Sequence, residues 1–138
     1  EIYTLSLHDA LPISSLPGTP VMVVRMGRTV LAALSGNPFA MFVNLQLFVR
    51  PILAALTGDA GLALRPETAE MENDYPKGSP MRRFLRAALH GPRVRVPAPG
   101  ENSPGMIANV ADSDVLIDVP AGSGGLRAGD AVRIWRAR

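Results

Sequence analysis

The 138-residue sequence contains no cysteine, two histidines and a single lysine, Lys77. Missing thiols exclude a disulfide framework, a thiolate metal site and a cysteine nucleophile, and match a cytoplasmic setting. With only His8 and His90, a histidine metal centre is not expected either, and no metal ligands are assigned. Charge of one sign is also scarce: the net charge is +2, too small to predict a nucleic-acid partner. The longest apolar stretch, Phe39 to Leu56, is interrupted by Asn44, Gln46, Arg50 and Pro51, so no membrane span is expected. Nucleophile elbows, Walker loops, dinucleotide fingerprints, internal repeats and low-complexity tracts are absent as well. What is there is 47% hydrophobic and 19% charged, ordinary globular composition for one domain or two small ones.

Residues 1–13, EIYTLSLHDALPI, match the translation of a widely used sequencing adapter and are read as non-native. His8 and Asp9 are therefore not taken as a catalytic pair. Without Glu1 and Asp9 the net charge becomes +4, and the expectation is that the sequence is a C-terminal fragment of a longer protein.

The remaining residues divide at a change of composition. Val21 to Arg25 and Thr29 to Leu34 are apolar, β-branched runs around Met26-Gly27-Arg28, where Gly27 can supply the positive φ of a tight turn, so a hairpin buried on both faces is expected. Asn37 is a favoured N-cap and Pro38 suits the first helical position, where its missing N–H costs nothing. A helix from Pro38 to about Thr57 follows, stopped by Gly58. Gln46, Arg50 and Thr57 fall on one narrow stripe of its wheel, predicting an otherwise buried helix, and Pro51 is expected to kink it.

From Asp59 to Pro80 the residues are charged and turn-forming, which marks the boundary. Short strands are expected beyond it, over Phe84–Leu89, Arg93–Val96, Val115–Val119 and Ala131–Arg136. They are punctuated by PAPG, AGSGG and RAGD, the pattern of a small barrel or sandwich. The fold class read from these elements is α/β in content over residues 14–58, a hairpin-plus-helix piece, then all-β over residues 59–138, a small β-barrel-like domain.

Few residues point to chemistry by themselves. Glu67, Glu70, Glu72 and Asp74 read as a solvated boundary segment rather than a divalent-ion site. His90, beside a Gly-Pro turn, reads as exposed or locally hydrogen-bonded, and Asn44 as a satisfied core amide. More informative are LPGTP at Leu16–Pro20, entering the first strand, and SGNP at Ser35–Pro38, leaving the second. Hairpin pairing would set the two loops at one edge, where backbone N–H groups and a helix N-terminus suit a phosphate or oxyanion. Plain turn and cap chemistry explains the same residues, and both readings stay open.

The order LPGTP, hairpin, ALSGNPFAMFVNLQLFVRPIL, charged boundary, RRFLRAAL and LIDVPAGSGGLRAGDAVRIW resembles the C-terminal portion of the molybdopterin molybdenumtransferase family, MoeA, related to the gephyrin E domain. The strongest element is Gly36-Asn37-Pro38 opening an apolar helix that continues into Phe48-Val49-Arg50-Pro51. The resemblance implies insertion of molybdate into adenylated molybdopterin with release of AMP. It implies magnesium as cofactor, with ligands outside this sequence, and a homodimer at full length. It assigns Gly18 and Gly36-Asn37-Pro38 to the pterin and phosphate cleft and Arg86 to the molybdate site, with no catalytic residue in this chain. Leu16 and Thr19 stand where the family has lysines, Ser35 where proline is usual, and Ser103-Pro104-Gly105 is displaced by one from the family's Gly-Ser motif. These departures leave an alternative open, a degenerate non-catalytic pterin-binding or docking homologue. The fragment itself is expected to be inactive, and its hairpin and helix to leave apolar surface uncovered.

Overall fold

The computed structural model describes residues 15–16, 21–98 and 113–137. Among the described residues there are eight strands: β1 (Ser15–Leu16), β2 (Met22–Met26), β3 (Thr29–Ala33), β4 (Pro66–Met71), β5 (Arg82–His90), β6 (Arg93–Arg95), β7 (Val115–Val119) and β8 (Ala131–Arg136). One helix, α1, runs from Pro38 to Thr57, and Ala60–Leu62 form a 3₁₀ turn. The composition is mostly β, as the small-barrel expectation required.

Strands β4 to β8 close on themselves. The sheet order is β1-β5-β6-β4-β8-β7, and a further β5–β7 pairing joins the ends of the five-stranded part into a ring. All contacts in the ring are antiparallel except β4 with β6. Closure removes the free edges that an open sheet must protect. β5 is long enough to serve two partners, β7 through Arg83–Ala87 and β6 through Ala88–His90. β1 adds in parallel at Arg82 and Arg83.

Period-two alternation fills the interior. Ala69 and Met71, Leu85 and Ala87, Val94 and Val96, Val115, Ile117 and Val119, and Val132 and Ile134 all belong to one buried cluster, because successive side chains of a strand point to opposite faces. β7 is buried along its whole length. Its odd-numbered residues face the interior, while Leu116 is covered by α1 and Asp118 accepts a bidentate pair of hydrogen bonds from Arg82 at 2.8 and 2.7 Å.

β4 lies inside the segment expected to be only a charged boundary. Its sequence, PETAEM, turns just Ala69 and Met71 inward. Its outward glutamates meet cations across the sheet, Glu67 with Arg136 at 2.7 Å and Glu70 with Arg93 at 3.3 Å. Glu72 bonds His90 at 2.7 Å, and Asp74 accepts from the Ala128 N–H. The acidic run is therefore dispersed over separate partners.

β2 and β3 form their own two-stranded sheet, in register from Met22↔Ala33 to Met26↔Thr29. The two-residue loop Gly27-Arg28 has φ +60° at Gly27 and no positive φ at Arg28, the requirement of a type II′ turn. Burial on both faces is not observed, since no residue of either strand is buried. The apolar runs form a ribbon that no other described layer covers.

α1 also departs from the expected orientation. Val43 packs with Phe84 of β5 and Leu116 of β7, and Phe39, Phe42, Leu47 and Trp135 gather around them. Yet Met41, Leu45, Leu53 and Leu56 are exposed, while Asn44 and Gln46 are buried. The polar stripe thus turns inward at Gln46, whose Nε2 donates to the Ala137 carbonyl at 3.3 Å. Arg50 Nε reaches the Leu62 carbonyl at 3.2 Å. The missing N–H of Pro51 is met by a π-helical turn over Leu45–Val49, in which the Arg50 N–H bonds the Leu45 carbonyl. Such a turn adds a residue and shifts the phase of everything after it. By length and mean hydropathy, 1.7, α1 could also cross a bilayer, a test that a helix packed on a soluble core passes as well.

Candidate functional site

The loop Ser35–Pro38 sits where β3 hands over to α1. Asn37 has φ −74° and ψ 124°, and its side-chain oxygen accepts from the Phe39 and Ala40 N–H groups, both at 3.1 Å. The Asn37 carbonyl accepts from the Met41 N–H at 2.8 Å. Pro38 has no N–H, so the whole first turn is satisfied internally. Such a cap is worth about 1 kcal/mol. The cap reading of Gly36-Asn37-Pro38 is therefore sufficient for Asn37 and Pro38.

Gly36 is different. A Cβ built on it meets no atom within 4 Å, and its φ is not positive, so neither backbone conformation nor packing among the described residues requires glycine there. Its approach from outside is open. An anion at this loop would meet Gly36 and the positive end of α1, with the helix amides already capped.

The hairpin register places the start of β2 beside the end of β3, as the two-loop expectation needs. Gly18 and Thr19 lie outside the described residues, as do Ser103-Pro104-Gly105. Leu16 ends β1 next to Arg83.

Arg86 lies in the middle of β5, opposite Leu116, and is 8% exposed. Leu85 and Ala87 point into the barrel, so Arg86 shares the outer face with Phe84, the side on which Phe39 and Val43 of α1 pack. The opening of α1 and Arg86 are thus brought to one side of the barrel wall. Arg86 is not free but takes part in an interaction within the protein. A guanidinium this deep requires a partner, because burying an unpaired charge is costly.

Two polar features were not anticipated from the sequence. Arg82 stacks over Phe84 at 5.0 Å while holding Asp118, and that hydrogen bond raises the guanidinium pKa above its ordinary value against a smaller effect of burial. Asn44 is fully buried with neither side-chain atom hydrogen-bonded, and Trp135 Nε1 is unpartnered too, so Asn44 is not the satisfied amide its sequence context predicts. No group of three or more His, Asp or Glu among the described residues could hold a metal ion. The described residues therefore do not form a magnesium site.

A closed five-stranded barrel with one helix laid over β5 and β7 defines a small, mostly β domain. Residues 68–136 match the family model of the MoeA C-terminal region (domain IV), and the chain belongs to that family. The molybdopterin molybdenumtransferase of Bacillus subtilis (strain 168) is 31% identical over 130 residues, covering 91% of this chain and 30% of that protein. That of Staphylococcus aureus (strain COL) is 31% identical over 138 residues, covering 97% and 33%. The solved molybdenum cofactor biosynthesis protein of Pyrococcus furiosus superposes with a TM-score of 0.68 at 27% identity over 89% of this chain and 43% of that one. The molybdopterin biosynthesis moeA protein of Pyrococcus horikoshii OT3 shares the fold, with a TM-score of 0.69 at 23% identity over 89% and 30%. The chain spans about a third of the length of the curated relatives it matches.

Proposed function

We propose that this chain is the C-terminal part of a molybdopterin molybdenumtransferase, a cytoplasmic homodimer at full length. Its activity is insertion of molybdate into adenylated molybdopterin with release of AMP. The observation that carries this reading is the domain IV match, together with named transferases aligned across nearly the whole chain. Residues 14–58 would belong to the molybdopterin-binding α/β domain and residues 59–138 to the barrel domain. In this reading Gly18 and Gly36-Asn37-Pro38 form one wall of a pterin-phosphate cleft, and Arg86 faces molybdate. Both substrates are oxyanions, which suits an open glycine loop at a helix start and a guanidinium fork. Magnesium is the family's cofactor, and its ligands would come from outside the described residues.

AMP release from adenylated molybdopterin and molybdate tests the proposal. The full-length protein turns over and the 138-residue chain alone does not. In the full-length protein Arg86→Ala raises the KM for molybdate roughly tenfold or more, the loss of a charge-assisted hydrogen bond, and leaves pterin affinity nearly unchanged. Equal loss of both removes Arg86 from the oxyanion. The second reading, a non-catalytic pterin-binding or docking homologue, draws on Leu16 and Thr19 in place of the family's lysines, and pterin binding without turnover in the full-length protein would establish it.

A further inference from the structure

A hollow of about 230 Å³ opens where the C-terminal half of α1, the Ala60–Arg65 connection and the β4–β8 edge of the barrel meet. Arg86 is on β5, which is separated from β4 and β8 in the ring by β6 on one side and β7 on the other. Arg50, Arg65 and Arg136 line the hollow with one carboxylate, Glu67, leaving a surplus of two positive charges. The rest of the lining comes largely from Ala60, Gly61 and Ala63, whose small side chains leave the space empty.

The three cations are held differently, and the difference matters. Arg50 is fixed from behind by the Leu62 carbonyl through Nε and by Gln46 Oε1 through Nη1 at 2.9 Å, leaving Nη2 available. Arg136 is pinned through Nε to Glu67 Oε1 at 2.7 Å, and its two terminal nitrogens have no acceptor among the described residues. Arg65 has no partner among the described residues, and its backbone is restricted by the following Pro66. Three elements therefore bring guanidinium groups to one small space, and part of their donor capacity is left without an acceptor among the described residues. Guanidinium groups match the geometry of tetrahedral oxyanions and bind them through paired N–H donors.

We propose that this hollow is a binding site for a tetrahedral dianionic oxyanion, a phosphate group or molybdate, held by Arg65 and Arg136 and steered by Arg50. The site depends on neither Arg86 nor the Gly36 loop, and its test does not use transferase activity. Calorimetric titration of the 138-residue chain at fixed ionic strength uses inorganic phosphate, molybdate and perchlorate, the last a tetrahedral monoanion of similar shape. One phosphate or molybdate binds per chain, perchlorate does not, and the tighter of the two dianions identifies the source. Arg65→Ala, at an exposed and unpaired position, weakens binding roughly tenfold or more. Glu67→Gln leaves it equal or tighter by removing the opposing charge. Absence of saturable binding, equal binding of perchlorate, or affinity unchanged by Arg65→Ala overturns the proposal. Circular dichroism of each variant separates loss of binding from loss of fold.

Discussion

The barrel and the hairpin-helix piece are both rich in Val, Leu and Met, but they use these residues in opposite ways. In the barrel, each strand sends alternate residues into one closed interior, and Ile117, Val115 and Val94 are fully buried. In the hairpin and α1, Met22, Met26, Leu31, Met41, Leu45, Leu53 and Leu56 are exposed. Of the large exposed hydrophobics among the described residues, only Met81 lies elsewhere. A ring of strands completes its own core. A two-stranded ribbon and a single helix cannot, and their large apolar side chains stay exposed.

That contrast predicts a wide gap between equivalent truncations. Ile117→Ala deletes buried volume in the ring and is expected to cost about 2–5 kcal/mol in urea unfolding of the chain. Leu31→Ala, in the exposed hairpin, is expected to change stability by no more than about 0.5 kcal/mol. Comparable losses at the two sites would show that the hairpin is covered in solution, for instance by self-association, and concentration dependence of the midpoint would reveal it.

A smaller effect probes the seam between the two regions. Asn44 is buried against the barrel with both amide atoms unpartnered, a burden of about 1–3 kcal/mol. Asn44→Leu is close in size and removes the polar atoms, so it is expected to raise the unfolding midpoint. A drop would mean that solvent or another molecule satisfies the amide in solution.

The seam is also where the sequence was least legible. Local signals were clear: Gly27 marked the hairpin turn, Asn37 and Pro38 the helix start, and Gly58, at φ +75°, its end. β7 and β8 occupy the predicted spans, and β5 and β6 differ only at their ends. Local pattern could not show ring closure, because β5 and β7 pair across a long stretch of chain. It also missed β4, where Glu67 and Glu70 hide a strand that contributes only two buried residues. The helix face was misjudged because a wheel drawn at constant pitch passes over the π turn, and because Gln46 and Arg50 find inward acceptors that only tertiary structure supplies. As for the candidate site, the cap was legible in full, while the outward placement of Arg86 beside Phe84 followed from the alternation of β5 once Leu85 was known to face inward.

The smallest expected effect sharpens the comparison from the barrel's outer surface. Arg136 donates to Glu67 and holds the Glu67 carboxyl below its ordinary value of 4.5, with the hydrogen bond dominant over desolvation, which acts the other way. A carboxylate whose folded pKa is depressed binds fewer protons folded than unfolded. Its stabilising contribution is present above pH 4.5 and is lost as the pH falls through the lower folded value. Both side chains are substantially exposed, Arg136 to 54% and Glu67 to 42%, so the contribution is small and weakened by salt. Thermal melts of the chain and of Glu67→Gln should differ slightly at pH 7 and converge at pH 3, and the difference at pH 7 should shrink at high ionic strength. A gap that persists at pH 3 would locate the role of Glu67 in packing along β4, and would tie this edge of the barrel to the connection that carries α1.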